Sequence, residues 1–178
     1  MNNSNLPWHM RSKDQHHQIF QMQPIEQADY PNRSDIFVGY TVLPDLWERF
    51  HSSEPVYSSD FSKCGETFCY LKIDGINGLK GSVFADKAQI EDALDEALRH
   101  FKVGCVIGGG TGLRYSYVDF AVTDVSTTCD ILRKVLRAGN IPKRSCILFF
   151  DTDKSDQKVG IWDDTPVSPE NVKLTGSE

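Results

Sequence analysis

The sequence predicts an α+β domain with a ferredoxin-like split βαββαβ sandwich, in which two helices cover one face of a four-stranded antiparallel sheet. Between Thr67 and Asp151, strand-like and helix-like segments follow one another in the order strand, helix, strand, strand, helix, strand. Right-handed crossovers between such strands place both helices on the same face of the sheet. The same order makes the strands that begin at Thr67 and Tyr115 neighbours at the centre.

The composition divides the 178 residues into four segments. Residues 1–33 are rich in Asn, Gln, His and Ser, which is typical of a flexible polar arm. Residues 34–66 hold one strand pattern and one short helix pattern, and we expect this extension to pack on the core. The core spans residues 67–151, and residues 152–178 form an acidic tail with a candidate edge strand at 158–162.

The first core helix is predicted to begin at Asp86, because an aspartate side chain accepts hydrogen bonds from the free amide groups at a helix start. Gln89, three residues later, completes the pattern of a capping box. The apolar positions of this helix recur with helical spacing and are expected to face the sheet. They are Ile90, Leu94, Ala97, Leu98 and Phe101.

The second core helix has its apolar positions at Ile131, Leu132, Val135 and Leu136. Ser126 or Thr127 is predicted to cap its start, and Gly139 is predicted to end it in the left-handed conformation. The strand that follows, 146–150, is apolar at every position. Such a strand is typical of a sheet that is covered on both faces.

Charge and composition narrow the function classes. The formal net charge is −6, and the acidic excess lies in the segments that flank residues 67–151. Acidic flanks disfavour binding to nucleic acid and to anionic membranes. The chain has no apolar run of the roughly 18 residues that a transmembrane helix needs, and no apolar stretch of a signal peptide near its first residue. We therefore expect a cytoplasmic protein with reduced cysteines, no cofactor and no metal site.

A glycine-rich stretch between the two middle strands is the first candidate binding site. It consists of Gly108, Gly109, Gly110, Thr111 and Gly112, followed by Arg114. Consecutive glycines in a turn can direct their N–H groups into a concave nest that binds phosphate or carboxylate, and Arg114 would add charge-assisted donors. The alternative is a plain hairpin turn that uses glycine for its positive φ angles.

A group of aromatic and polar side chains on the outer face of the sheet is the second candidate. Strand alternation directs the more aliphatic parity toward the helices and leaves the other parity outside. The outer set comprises Phe68, Tyr70, Lys72, Tyr115, Tyr117 and Asp119. We refer to these six residues as the platform. Three candidates could cover the platform: the N-terminal part of the chain, a second copy or partner protein, and a nucleic acid. The neutral charge of the core disfavours the nucleic acid.

These patterns favour a non-catalytic module that binds a protein through the platform, either itself or a partner that it regulates or neutralises. No cysteine or serine has a histidine at a spacing that indicates a nucleophile and its base. The alternative is a protein that binds or hydrolyses a small anionic ligand at Gly108–Gly112. The two functions differ in what they require of the surface: the first needs an exposed apolar patch, and the second a pocket with convergent polar groups.

Overall fold

The structure, a computed structural model, describes residues 5–165. One sheet of seven strands runs through it in the order β1-β2-β4-β5-β3-β6-β7, and all neighbours are antiparallel. The strands are β1 (Gln18–Gln21), β2 (Ile36–Thr41), β3 (Thr67–Asp74), β4 (Gly104–Gly112), β5 (Tyr115–Val122), β6 (Cys146–Phe149) and β7 (Val159–Gly160). The helices are α1 (Pro44–His51), α2 (Lys87–His100) and α3 (Val125–Ala138).

The prediction of a four-stranded ferredoxin-like sheet with two helices is wrong, although the protein is α+β. β1 and β2 extend one edge, β7 extends the other, and α1 is a third helix. β1 reads QIFQ, which is too short and too polar for its alternation to indicate a strand. Its pairing with β2 supplies hydrogen bonds that only the tertiary arrangement reveals.

The central pairing of the sheet is the one that the sequence predicts. β3 and β5 are antiparallel neighbours over their full length, from Thr67 opposite Val122 to Asp74 opposite Tyr115. The predicted first residues of both strands, Thr67 and Tyr115, are confirmed. β4 is longer than predicted, since it includes the glycine-rich stretch that was expected to lie between the two middle strands, and it pairs with both β2 and β5.

One face of the sheet packs on α2 and α3 through an apolar core. The residues that build this core are aliphatic on the helices and mostly aliphatic on the strands, and they include Leu71, Val118 and Phe120 beneath Leu94, Leu98, Leu132 and Leu136. As predicted, the parity of Val118 and Phe120 faces these helices. Phe101, which was predicted to belong to the same core, is instead 57% exposed. α2 ends at His100 and Lys102 has a φ of 58°, so the chain turns away from the sheet at this point.

The opposite face of the sheet is covered as well. α1 contributes Leu46 and Trp47, and the chain before β2 contributes Trp8, Tyr30 and Arg33, all of them buried. Trp47 packs directly on the backbone of β2, because its indole ring occupies the space that a side chain at Gly39 would need. The sheet is therefore the middle of three layers rather than one side of two.

The helix ends agree with the sequence in one case and differ in another. Asp86 caps α2 as predicted and accepts a hydrogen bond from the Gln89 amide at 3.0 Å. α3 is capped by Asp124 rather than by Ser126 or Thr127, since Asp124 accepts a bond from the Thr127 amide at 2.9 Å.

Gly139 does not take the left-handed conformation that was predicted for it. Its φ is −81°, and Asn140 adopts the positive angle of 54° instead. The absent side chain makes room for the ring of Phe84, which lies where a Cβ of residue 139 would be. Gly139 thus serves the packing of residues 81–84 onto the end of α3.

Candidate functional site

The platform lies in the interior of the protein. The structure places its six residues side by side on the face opposite α2 and α3, and Lys72, at 8%, is the most exposed of them. The chain's own N-terminal part and α1 provide the cover. A partner protein or a nucleic acid reaches these side chains only if that cover moves away.

A buried ion pair holds the cover on the platform. Arg33 and Asp119 are each 2% exposed, and the guanidinium binds both carboxylate oxygens, at 2.6 and 3.0 Å. The guanidinium carbon also lies 4.8–5.5 Å from the ring centres of four aromatic residues, which are Trp47, Tyr70, Tyr117 and Phe150. Bidentate pairing and aromatic faces are what compensate an arginine for lost hydration.

Asp35 makes a second polar attachment beside this pair. Its carboxylate accepts hydrogen bonds from the backbone amides of Arg114 and Tyr115, both at 2.9 Å, and from the hydroxyl of Tyr117. Burial and the neighbouring carboxylate raise the pKa of Tyr117 far above its usual range. The hydroxyl therefore remains a donor at any physiological pH.

The glycine cluster is a strand and not a turn. The backbone of Gly108–Thr111 pairs with β2 on one side and β5 on the other, so its N–H groups belong to a sheet and do not converge on one point. At Gly112 a side chain would collide with the carboxylate of Asp35. Arg114 is directed to acidic neighbours, lying 3.4 Å from Asp74 and 3.5 Å from Asp29. Close approach of neighbouring groups, rather than positive φ, accounts for glycine here.

His51 is a further polar group under the cover. Its Nδ1 is 2.9 Å from the Trp47 carbonyl and donates to it, while Nε2 has no hydrogen-bond partner within residues 5–165. Burial and then the charge of Arg33 lower its pKa to about 4. His51 is thus a neutral ring that stacks on Trp47 at 4.3 Å. In the described part of the chain, no histidine is hydrogen-bonded to a serine or cysteine side chain.

The cysteines also lie mainly in the interior. All five are free thiols, and Cys69, Cys105, Cys129 and Cys146 are buried. Burial raises the pKa of each of these four, and that of Cys105 reaches about 12. A thiol of high pKa is protonated at neutral pH and is a poor nucleophile.

A mainly apolar concave surface lies between α2 and α3, on the side turned away from the sheet. This groove has a volume of about 690 Å³. Small residues of the two helices, Ala93, Ala97 and Ala138, form part of its walls, and the half-buried Ile131 and Val135 also line it. We refer to it as the helix groove.

Two large apolar side chains also line the helix groove and stand out into solvent. Phe101, directly after α2, is 57% exposed, and Val83 is 77% exposed. Val83 is held in place by the attachment of its loop to α3: its amide donates to the Gly139 carbonyl at 2.9 Å, and Ser82 Oγ donates to the same oxygen at 2.6 Å. The groove therefore combines small residues with fixed apolar projections.

Some residues that line the helix groove had already been identified in the sequence as apolar helix positions. Phe101, Ala97, Ile131 and Val135 were assigned to the apolar stripes of the two helices, and the stripes are wider than the core requires. The excess apolar positions were a signal for a second contact surface.

No helix within residues 5–165 is long and apolar enough to cross a membrane. No protein family, no curated protein and no solved structure matches the chain.

Proposed function

We propose that the protein is a protein-binding module that acts through the helix groove, and that its first partner is a second copy of the same chain. The observation that carries the proposal is the exposed apolar lining of the groove, with Phe101 and Val83 in solvent. Exposed apolar patches on folded proteins mark contact surfaces for other proteins. Use of the groove needs no rearrangement, whereas use of the platform needs removal of its cover.

The shape of the groove supports a second copy as the partner. In a two-fold symmetric dimer the same patch contacts itself, so each projection on one copy must meet a hollow on the other. The helix groove offers both: Phe101 projects at the end of α2, and Ala97 and Ala138 leave space between the helices. A phenyl ring that leaves water in this way is a typical anchor of an interface.

The charges of the groove also complement themselves. Asp130 and Lys134 lie one turn apart on α3 and both line the groove. Both are exposed, and neither forms an ion pair within residues 5–165. A two-fold axis between two copies of α3 brings Asp130 of one copy opposite Lys134 of the other. Such pairs contribute orientation and specificity more than affinity.

Sedimentation velocity over a concentration series tests the proposal. The wild type is expected to dimerise, and Ala97→Glu, which places a charge inside the groove, is expected to shift the protein to monomer by tenfold or more in the dissociation constant. Ala88→Glu is the matched control, because it makes the same change at an exposed position of the same helix outside the groove. Both variants should keep the circular dichroism and the melting temperature of the monomer.

A charge exchange tests the symmetric arrangement. Asp130→Lys and Lys134→Asp should each weaken the dimer, and the double variant should recover most of the loss, since the opposite charges again face each other. A wild type that stays monomeric at the highest attainable concentration overturns the second copy as partner. A dimer that Ala97→Glu leaves intact overturns the helix groove as its interface.

A further inference from the structure

A small pocket on the covered face of the sheet has an excess of positive charge. It lies between residues 29–32 of the N-terminal cover and the strands β3 and β6, and its volume is about 170 Å³. Lys72, Arg144 and Lys158 line it, and Asp29 is the one carboxylate among its lining residues. This pocket is separate from the helix groove, which lies on the other side of the sheet.

Lys72 is the unusual member of this set. It is 8% exposed, its ammonium group donates to the Tyr30 carbonyl, and it lies 4.1 Å from the centre of the Tyr115 ring. No carboxylate pairs with it among residues 5–165. The other buried cation on this face, Arg33, has a bidentate carboxylate partner. Asp29 and Asp35 attract Lys72 only from beyond ion-pair distance. A buried ammonium that no carboxylate contacts is costly, so a bound anion would stabilise it.

The one carboxylate of the pocket is already engaged by other groups. Asp29 accepts a hydrogen bond from the Tyr115 hydroxyl at 2.6 Å and lies 3.5 Å from Arg114 and 3.6 Å from Arg144. These interactions keep the pKa of Asp29 below its usual value, although burial acts in the opposite direction. Asp29 therefore shares one negative charge among Arg114, Arg144 and, through a longer-range attraction, Lys72.

We propose that this pocket binds a phosphate group, either as inorganic phosphate or as the terminal group of a small phosphomonoester. A tetrahedral anion can accept hydrogen bonds from several directions at once, which suits an ammonium and a guanidinium that converge on one space. The volume is several times the roughly 30 Å³ that one water molecule occupies, so a phosphate group fits and a folded polynucleotide does not. Lys72 recognises the charge, and Arg144, at the rim, supplies paired donors.

Isothermal titration calorimetry of the full chain tests the site, with protein purified in phosphate-free buffer and titrated with sodium phosphate at constant ionic strength. Saturable binding to one site is expected in the millimolar range or tighter. Lys72→Met and Arg144→Met should each weaken it tenfold or more, because each removes a charge-assisted hydrogen bond. Lys72→Met should leave the fold intact, since it replaces a buried charge by an apolar side chain of similar length.

Lys143→Met is the matched control for the loss of one positive charge. Lys143 is next to Arg144 in the chain, does not line the pocket, and pairs with Asp164 at 2.6 Å. Unchanged affinity in this variant separates the pocket from the general field of the protein. An affinity that falls equally in all three variants, or a wild type that shows no saturable binding at millimolar phosphate, overturns the proposal.

A second titration with glycerol 3-phosphate distinguishes the two sources of the phosphate group. Tighter binding of the ester, lost in Lys72→Met, assigns the pocket to a phosphomonoester whose carbon chain leaves through the opening. Binding of inorganic phosphate alone, with the same dependence on Lys72, assigns it to the free ion. Both results support the site, and neither depends on the oligomeric state.

Discussion

The two faces of the sheet are built from alternate residues of the same strands, yet they are held by different forces. On the face of α2 and α3, Leu71 and Val118 meet aliphatic helix residues in a continuous apolar core. On the other face, Tyr70 and Tyr117 surround the ion pair of Arg33 with Asp119. On the first face, shortening a side chain is expected to lower the free energy of unfolding in proportion to the atoms removed. On the second face, the free energy of unfolding depends on each polar group keeping its partner.

The difference has a reason in chain connectivity. α2 and α3 are joined directly to the strands that they cover, so apolar burial alone is sufficient to bring them back to the sheet. The N-terminal cover contacts strands far away in sequence: Arg33 and Asp119 are 86 residues apart. A bidentate ion pair adds direction to such a contact, because its geometry is satisfied in one arrangement only.

The largest expected effect is the loss of one partner of the buried ion pair. Asp119→Ala leaves the Arg33 charge buried and unpaired, and we expect it to lower the free energy of unfolding by about 3–5 kcal/mol. The double variant Arg33→Met/Asp119→Leu removes both charges and should recover most of that loss. Urea unfolding at pH 7 measures both. A double variant as unstable as Asp119→Ala would show that shape, and not charge, holds the cover.

Shortening a buried side chain on the apolar face should lower the free energy of unfolding by a somewhat smaller amount, and a second substitution should not restore it. Leu132 is completely buried between α3 and the sheet, and Leu132→Ala is expected to cost about 2–5 kcal/mol through lost burial and the cavity left behind. Leu113→Ala, at a residue that is 51% exposed, should stay within about 0.5 kcal/mol. Thermal unfolding of both variants at pH 7 and pH 5 checks the values. A loss for Leu132→Ala that changes strongly with pH would contradict a purely apolar face.

The smallest of the three effects is a pH dependence of the free energy of unfolding, which we expect from His51 on the covered face. The folded protein lowers the pKa of His51 from 6.5 to about 4, so the unfolded chain binds a proton more readily. The stabilising effect of keeping His51 neutral is complete above pH 6.5 and is lost as the pH falls toward 4. The loss amounts to at most about 3 kcal/mol.

His51→Phe removes this contribution and should flatten the fall in the free energy of unfolding between pH 6.5 and 4. Urea unfolding at half-unit steps of pH gives the comparison. Parallel curves for wild type and His51→Phe would show that the ring is hydrated in the folded protein.

Several parts of the structure follow from short stretches of sequence. The alternation in β3 and β5, the 3.6-residue period of α2 and α3 and the Asp86 cap all depend on neighbours within one or two turns, and each is predicted correctly. The glycine cluster was misread for the converse reason. Turn and strand glycines look alike in sequence, and the groups that exclude a side chain at Gly112 and Gly108 belong to the distant Asp35 and to β2.

In the candidate sites, too, some features follow from local sequence and others from contacts between distant residues. Strand parity alone separated Val118 and Phe120 on the helix side from Tyr117 and Asp119 on the other side. The helix groove was not predicted, because the apolar positions of α2 were expected to face the sheet. Which of the open covers lies on the platform was decided by the tertiary structure, because Arg33 reaches Asp119 only when the N-terminal part of the chain folds back. The cationic pocket was decided in the same way: Lys72, Arg144 and Lys158 come from separate elements, and local sequence carries no record of a charge balance that forms only when they meet.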